Sequence, residues 1–257
     1  MVWSYQAERL SSPPTDSADG PLDPLVDRSA LLYTRNAGIA RDQFPDPPRL
    51  RRRVFPGPVM DASVSVSATA DVDPTAVIGP GSAIWHLAQV REYALLGPGC
   101  SVGRGAYIGP GVILGKNCKV QNHALVYEPA LLEDGVFVGP AAVFTNDQFP
   151  RAINVDGSRK SADDWVLVGV TVRTGASIGA RAVCVAPVTI GRWAMVAAGA
   201  VVTRDVPDYA LVVGVPARRA GWVGRSGVPL EPGAPGDFRC PATNERYREH
   251  EGQLTLL

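Results

Sequence analysis

Polar residues that could take part in chemistry recur at a constant interval along this chain. One series, with a spacing of 18 (104 − 86 = 18), is formed by His86, Arg104 and Asn122, and a second by Glu92, Pro110, Glu128 and Asn146. An imidazole or a carboxylate can act as a general base, and an amide can orient a polar substrate. His86, His123 and Glu128 are therefore candidate bases, although an exposed or structural role is the competing interpretation for each.

The elements that must position these residues follow from a second, shorter period. An apolar residue occupies every sixth position from Val66 to Phe144, and a small or apolar residue comes four positions after each, as in Ala76 after Val72. A period of six with frequent glycine is typical of short strands that turn sharply, and three such strands close a triangular coil of about 18 residues. The sequence therefore predicts an all-β solenoid over residues 63–224, in which residues 18 apart stack. Cys100 and Cys118 are then expected to be buried neighbours.

The six-residue period is interrupted once, after Phe144. The stretch 146–165 contains Pro150, Gly157 and several charged residues but no hexad spacing, and the hexads resume at Val166. Because 166 − 144 = 22 is not a multiple of six, this stretch is an inserted loop and not a degenerate coil. Long loops in compact domains are usually functional or disordered, so we predict a lid that begins at Asn146.

Both ends of the chain leave the pattern. Residues 1–62 are rich in proline and contain a basic run formed by Arg49 and 51–53, which predicts a disordered extension, with a phosphate-binding or regulatory arm as the alternative. Met60 stands immediately before the hexads, and we expect translation to start there naturally. Residues 225–257 are predicted to form a linker and a tail that could fold as a small hairpin, too short for an independent domain.

Composition narrows the classes of protein that the chain could represent. The 25 Lys and Arg residues balance the 25 Asp and Glu residues, so no overall field favours nucleic acid or an anionic membrane as a partner. No apolar run approaches the roughly 20 residues that span a bilayer, and the N-terminus lacks a signal-peptide pattern, which predicts a cytoplasmic protein. The four cysteines form no CxxC pair, so we expect neither a zinc ribbon nor a disulfide framework.

Six ordered stretches carry a resemblance to a known family. They are IWHLAQV at 84–90, VQNHALVY at 120–127, GVFVGP at 135–140, FTN at 144–146 followed by Pro150-Arg151, GASIG at 175–179, and VPDYALVVG at 206–214 followed by PAR at 216–218. The hexads resemble those of the left-handed β-helix acyltransferase superfamily, and these stretches are similar to the group that acetylates nucleotide-linked 3-amino sugars. The resemblance covers residues 64–224 and implies a left-handed parallel β-helix that assembles as a homotrimer.

The same resemblance implies a reaction and the residues that carry it. An acetyl group would pass from acetyl-CoA, without a metal, to the 3-amine of a nucleotide-linked sugar, in cell-surface or secondary-metabolite sugar biosynthesis. Asn146 and Glu128 are implied to lie near the amine, with His86 as a third catalytic candidate. Substrate contacts are implied for Asn122, Tyr127, His123 and Arg151. Coenzyme A contacts are implied for Ala180, Ala198, Gly199, Val215, Pro216 and Arg218, the last as a bidentate phosphate donor. The chain departs from the family pattern at Ala186, Ala197 and His123, which affects the shape of the site but not the class of reaction.

Three other functions compete with this interpretation. A metal-dependent hydratase of the γ-carbonic-anhydrase type needs three histidines that converge on zinc, and this chain has only His86, His123 and His250, the last in the tail. An O-acetyltransferase acting on a sugar or serine hydroxyl would need a stronger base, because a hydroxyl hardly ionises at neutral pH. A non-catalytic scaffold would use a face of the solenoid for binding. The expected partners are a nucleotide sugar and further copies of the chain, with no nucleic acid or membrane.

Overall fold

Most hexads fold into a two-residue strand followed by a four-residue turn, and the strands stack in parallel. The computed structural model describes residues 59, 60 and 62–257; the other residues of the predicted N-terminal extension, 1–58 and 61, lie outside the described part. Successive strands belong in turn to three sheets, so that each strand pairs with the strand three places further along the chain. This arrangement confirms the predicted all-β solenoid.

The three sheets form the walls of the solenoid. Sheet A contains β1 (Val59–Met60), β4 (Val77–Ile78), β7 (Leu95–Leu96), β10 (Ile113–Leu114), β13 (Leu131–Leu132), β16 (Val170–Val172) and β19 (Val188–Ile190). Sheet B contains β2 (Ser65–Val66), β5 (Ala83–Ile84), β8 (Ser101–Val102), β11 (Lys119–Val120), β14 (Phe137–Val138), β17 (Ser177–Ile178), β20 (Met195–Val196), β22 (Ala210–Val213) and β23 (Arg218–Trp222). Sheet C contains β3 (Asp71–Val72), β6 (Gln89–Val90), β9 (Tyr107–Ile108), β12 (Leu125–Val126), β15 (Val143–Phe144), β18 (Val183–Cys184) and β21 (Val201–Val202). The turns are called the AB, BC and CA corners after the sheets that they join.

The core is a column of side chains that the hexads direct inward. The second residue of a strand and the last residue of a turn are both buried, as in Ile108 and Ala106, which are 0% and 1% exposed. Burying a Val or Ile side chain stabilises the fold by roughly 1.5–3 kcal/mol, so several stacked coils are needed for a secure core. Cys100 and Cys118 are buried in neighbouring coils as free thiols, which confirms the prediction that they are core residues.

The four-residue turns satisfy their backbone groups in a regular way. The N–H of the third turn residue donates to the carbonyl of the second turn residue one coil earlier, as from His123 to Arg104 at 2.9 Å. The third residue has a positive φ, 60° at His123, in the left-handed region that favours glycine or asparagine. In some turns the N–H of the second residue donates to a side chain instead; that of Arg104 donates to Asn122 Oδ1 at 2.9 Å. A polar side chain stacked one coil further therefore completes the hydrogen bonding of the turn.

The predicted interruption lies at the CA corner between β15 and β16, where the connection spans residues 145–169. Within it, an antiparallel bridge joins Asp147 to Leu167, so the chain leaves the corner and returns beside itself. Val166 comes before this return is complete and is 77% exposed, whereas Val170 begins β16 and is buried. The prediction that the hexads resume at Val166 is therefore wrong, because this apolar residue still belongs to the loop.

The only helical element among residues 62–257 is a 3₁₀ turn at Ala162–Asp164, within this connection. Ser161 caps it, since its hydroxyl accepts the Asp163 N–H at 3.3 Å and its own N–H donates to the Asp164 carboxylate at 2.7 Å. No helix in the described part of the chain is long and apolar enough to cross a bilayer.

The C-terminal residues pack against the end of the solenoid. β22 and β23 form an antiparallel hairpin that continues sheet B beyond β20. A separate antiparallel sheet follows, with β24 (Glu231–Pro232), β25 (Asp237–Arg239), β26 (Arg246–His250) and β27 (Gln253–Leu256). Cys240, Tyr247 and Leu254 are buried and join the main apolar core. The tail therefore forms four strands where a small hairpin was predicted, because its apolar side chains extend the core column.

Candidate functional site

Glu128 and Asn146 lie together at the CA corner, each at the second turn position of its coil. Asn146 Nδ2 donates to Glu128 Oε1 at 3.4 Å, which is a long hydrogen bond. The other carboxylate oxygen, Glu128 Oε2, is buried and is the one such side-chain atom of residues 62–257 without a hydrogen-bond partner. Buried polar atoms are almost always paired, so an unpaired buried oxygen calls for an explanation such as a catalytic role or a bound water.

The ionisation of Glu128 is governed mainly by its burial. Desolvation raises the pKa of the Glu128 carboxyl, and the nearby Glu92 carboxylate raises it further. The backbone amide of Glu128 and the Arg91 guanidinium lower the pKa, but their combined effect is smaller than that of burial. A carboxylate with a raised pKa is a stronger proton acceptor, which is what a general base near neutral pH requires.

Arg91 and Tyr107 also belong to this corner, although neither is among the candidates that the sequence suggests. Arg91 donates to the Glu92 carboxylate through Nε at 3.0 Å and Nη2 at 2.7 Å, and this pairing lowers the pKa of Glu92. The Tyr107 ring lies 5.0 Å from the Tyr127 ring, and burial together with the charge of Glu128 raises the pKa of Tyr107. The spacing could have revealed Arg91, since 127 − 91 = 36 places it two coils from Tyr127. Tyr107 gives no such signal, because it is the first residue of a strand and lies in a column with Gln89 and Leu125, outside both polar series.

The remaining polar candidates lie at the BC corner, at the opposite end of the sheet C strands. Thr69 Oγ1 and His86 Nδ1 are 3.0 Å apart, and the His86 side chain is exposed. Asn122 Oδ1 accepts the N–H of Arg104, so part of its role is to complete a turn. The stack of His86, Arg104 and Asn122 therefore follows the spacing of 18, as the sequence predicts.

His123 is held by the backbone of its own turn and by the coil before it. A Cβ added to Gly105 would lie 2.6 Å from His123 Nδ1, so the imidazole packs over the bare Cα of that glycine. The side chain is exposed. His86 and His123 thus share one corner, whereas Glu128 and Asn146 share another, and the strands of sheet C separate the two pairs within one chain.

The residues expected to contact coenzyme A are grouped along the later coils of the BC corner. They are Ala180, Ala198, Gly199, Val215, Pro216 and Arg218. The Gly199 N–H donates to the Ala180 carbonyl at 2.8 Å, which stacks the first three in neighbouring coils. Val215 and Pro216 lie in the turn between β22 and β23, and Arg218 begins β23. Two backbone hydrogen bonds hold this turn beside the BC corner. The Val201 N–H donates to the Gly214 carbonyl at 3.1 Å, and the Ala217 N–H donates to the Val201 carbonyl at 2.7 Å.

The connection 145–169 begins at the CA corner, next to Glu128 in the stack. Arg151 is exposed in this connection and donates to the carbonyl of its neighbour Pro150 at 2.9 Å. Phe149 and Val155 are also exposed, at 75% and 110%. Apolar side chains that face solvent so openly are available to cover a ligand or another chain. The lid remains a prediction.

The two alanines that were expected to depart from the family pattern differ in environment. Ala186 is buried at the CA corner, and its N–H donates to Thr145 Oγ1 at 2.9 Å. Ala197 is half-buried at the BC corner, beside the group that contains Ala198 and Gly199. An added methyl group therefore narrows the surface directly at Ala197, whereas at Ala186 it contributes to the core.

Two family models match the hexads of this chain. The model described as bacterial transferase hexapeptide (six repeats) matches residues 93–128, and the hexapeptide repeat of succinyl-transferase matches residues 170–204. The two matches fall on either side of the inserted connection.

Known proteins similar to this chain include sugar acetyltransferases. A 52-residue segment is 64% identical to the dTDP-3-amino-3,6-dideoxy-alpha-D-galactopyranose 3-N-acetyltransferase of Aneurinibacillus thermoaerophilus, over 20% of this chain and 27% of that protein. The bifunctional protein GlmU of Synechococcus sp. (strain CC9605) is 30% identical over 215 residues, 78% of this chain and 44% of that protein. Among solved structures, the acetyltransferase domain of PglB from Neisseria gonorrhoeae FA1090 has a TM-score of 0.39 and 24% identity, over 61% of this chain and 57% of that one. The chain spans less than half the length of both curated relatives.

Proposed function

Because two hexapeptide-repeat models match parts of this chain, we propose that it is an N-acetyltransferase that uses acetyl-CoA to acetylate the amine of a nucleotide-linked amino sugar. The 3-amino position is proposed from the segment shared with a dTDP-3-amino-sugar 3-N-acetyltransferase. The observation that carries the proposal is the buried, unpartnered Glu128 Oε2 beside Asn146. An amine offers the N–H donor that this oxygen lacks.

The reaction needs an amine, a thioester and a place for one proton. The amine nitrogen attacks the thioester carbonyl, a C–N bond forms, the C–S bond breaks, and the coenzyme leaves as a thiolate that takes up a proton. An amine with a pKa of about 8 is partly neutral at pH 7, so orientation supplies much of the rate and a base adds to it. Glu128 Oε2 accepts an N–H of the amine, and Asn146 holds Oε1 so that Oε2 keeps its direction.

The other candidates are assigned as the resemblance implies. In this proposal His86, Asn122, His123, Tyr127 and Arg151 contact the sugar or its nucleotide. Ala180, Ala198, Gly199, Val215, Pro216 and Arg218 line the path of coenzyme A. Because the BC and CA corners lie at opposite ends of the sheet C strands, we propose a homotrimer in which one copy contributes its CA corner and a neighbour its BC corner.

A coupled measurement of free thiol tests the proposed reaction. Purified protein, acetyl-CoA and a panel of nucleotide-linked 3-amino sugars should release coenzyme A thiol, and mass spectrometry should find one added acetyl group on the sugar nitrogen. The matched control is the same nucleotide sugar with a 3-hydroxyl, which should give no release. Transfer to the hydroxyl sugar but not to the amine would replace the proposal with O-acetylation, and silence across the whole panel would exclude both.

Mixing two inactive variants tests whether neighbouring copies share a site. Glu128→Gln and His86→Ala protomers, dissociated and reassembled together, should recover part of the wild-type activity, because some interfaces then pair an intact Glu128 with an intact His86. Each variant reassembled with itself is the control. If the mixture is no more active than the controls, Glu128 and His86 do not act at a shared interface.

A further inference from the structure

Three turns of the solenoid share one arrangement of side chain and backbone. In each, the second residue of the turn accepts a hydrogen bond from the N–H of its counterpart one coil earlier. The pairs, acceptor first, are Asn122 Oδ1 with Arg104 (2.9 Å), Asp134 Oδ1 with Lys116 (2.9 Å) and Asp208 Oδ1 with Arg192 (2.7 Å). In these three turns, the side-chain oxygen accepts a turn N–H that has no backbone acceptor.

The accepting oxygen also occupies a constant place, over the glycine that opens the turn below. A Cβ added to that glycine would lie 2.6 Å from the Asn122 oxygen at Gly103, 2.5 Å from the Asp134 oxygen at Gly115 and 2.6 Å from the Asp208 oxygen at Gly191. Glu128 Oε2 lies in the same way over Gly109, where an added Cβ would collide with it. Glu128 therefore presents its oxygen at the position where the other three receive an N–H.

The residue one coil below Glu128 in this column is Pro110, which has no N–H to give. Pro98 also has no N–H, but no acceptor is left unpaired there, because the residue stacked over it is Lys116, whose side chain accepts no hydrogen bond. Glu92 also stands one coil after a proline, Pro74, but Arg91 supplies its donors. Glu128 follows Tyr127 and not an arginine, and its Oε2 is left without a partner.

We propose that Pro110 is a positioning residue, which keeps Glu128 Oε2 free for the substrate amine by withholding the backbone N–H that would otherwise occupy it. The inference rests on the proposed function and adds to it the reason that this carboxylate, unlike Asp134 and Asp208, has no backbone N–H on the oxygen over the glycine. Pro110 itself need not touch the substrate.

Several charged or titratable groups face Glu128 and set the background for a test by pH. They are Arg91 and Glu92 from the CA turn two coils earlier, Tyr107 from β9, and Tyr127 from the same turn. None of them changes when Pro110 is replaced. A restored N–H would donate to the ionised form of Glu128, and a hydrogen bond to the charged form of a carboxyl lowers its pKa.

Titration of 13C-labelled glutamate side chains by NMR, with Glu128→Gln identifying the signal, measures this effect without any substrate. In Pro110→Ala the pKa of Glu128 should fall by about one unit relative to the wild-type protein, which corresponds to one modest hydrogen bond. Pro98→Ala, at an equivalent Gly-Pro-Gly turn of the AB corner, should leave it unchanged. Pro110→Gly restores the same N–H without a Cβ and serves if the alanine variant unfolds. A Glu128 titration unchanged in both Pro110 variants overturns the inference.

Activity supplies a second measurement that separates the inference from the proposed function. In Pro110→Ala the acid limb of kcat/KM should move to lower pH, and the plateau should fall about tenfold, because the new N–H competes with the amine for Oε2. In Pro98→Ala both should match the wild type. Absence of transfer by the wild-type protein would defeat the proposed function, whereas the NMR titration would still decide the role of Pro110. Active wild-type protein with an unaltered pH profile in Pro110→Ala would defeat the role of Pro110 alone.

Discussion

Asp134 at the AB corner and Glu128 at the CA corner both occupy the second position of their turns, each over a glycine of the coil below, yet the two carboxylates are in opposite states. Asp134 Oδ1 lies over Gly115 and accepts the Lys116 N–H at 2.9 Å, and its other oxygen is 3.4 Å from the Lys116 ammonium. Glu128 Oε2 lies over Gly109 in the same way but has no partner. A carboxylate at this turn position is therefore hydrogen-bonded to the backbone or left without a partner, depending on whether the residue one coil below it has an N–H.

The two corners also differ in the water that reaches them. The Asp134 side chain is 46% exposed, so its charge is solvated as well as hydrogen-bonded. At Glu128 the unpartnered oxygen is buried, and the desolvation raises the pKa of the carboxyl. A buried acceptor without a donor lowers the free energy of unfolding, whereas a buried acceptor with a donor does not. Such a cost at one corner of an otherwise satisfied repeat is typical of a functional site.

The largest expected effect comes from removing the charge at each corner in turn. Glu128→Gln should lower kcat/KM for acetyl transfer about 100-fold, because the amide cannot take a proton and offers an N–H to the amine where an acceptor is needed. Asp134→Asn should leave kcat/KM within about twofold, since its amide oxygen can still accept the Lys116 N–H. Steady-state kinetics on the amino sugar measures both. Equal losses in the two variants would erase the distinction between the corners.

A smaller effect is expected from the partner of Glu128. Asn146→Ala removes the Nδ2 donor 3.4 Å from Oε1, and should lower kcat/KM about tenfold by loosening the carboxylate. Because that donor favours the ionised form, its loss should raise the pKa of Glu128 and move the acid limb of the pH profile to higher pH. Asn154→Ala, in the same connection, removes hydrogen bonds to Ser158 and Asp164 but none to Glu128, and is the control. An acid limb that stays in place in Asn146→Ala would mean that Asn146 does not act through Glu128.

The reciprocal change at the AB corner should cost stability and not activity. Lys116→Pro removes the N–H that Asp134 accepts, and the turn tolerates proline, because Pro80 and Pro98 occupy the same position in the two preceding coils. The free energy of unfolding should fall by about 1 kcal/mol, the usual contribution of one hydrogen bond to a half-exposed acceptor. Denaturant unfolding measures it. A fully stable Lys116→Pro variant would show that the stacked N–H contributes nothing, and would remove the physical basis of the comparison.

The fold could be predicted from the sequence because burial repeats in it without variation. Each inward position is apolar because its side chain faces the core, so Ile84 and Ile108 support the same prediction. The failures occur where the period stops. Val166 is an apolar residue of the loop and imitates a hexad, and the terminal sheet around Tyr247 is specified by long-range packing that no short period records.

The candidate site could be predicted only in part, for a related reason. The spacing of 18 places Glu128 next to Asn146, and the hydrogen bond between them agrees with it. The same series contains Pro110, but its meaning depends on which turn N–H lacks a backbone acceptor, a fact of three-dimensional geometry. The separation of His86 from Glu128 by sheet C likewise follows from the order of the corners. Residue types identify the side chains that could take part in chemistry, whereas the geometry of the coil determines which of these side chains lie in contact.

The smallest expected effect separates charge from backbone at the AB corner. Lys116→Met keeps the N–H that Asp134 accepts and removes only the ammonium, whose partner atom is 3.4 Å away in a pair with side chains 63% and 46% exposed. Exposed ion pairs contribute little, so the free energy of unfolding should change by at most about 0.5 kcal/mol, less than in Lys116→Pro. Unfolding of both variants at low and high salt measures the difference. If Lys116→Met is as unstable as Lys116→Pro, the ion pair and not the N–H stabilises Asp134. The unpartnered state of Glu128 would then follow from its lack of an ion pair, since Arg91 pairs with Glu92, and not from Pro110. The relative stability of the two Lys116 variants decides between these two causes.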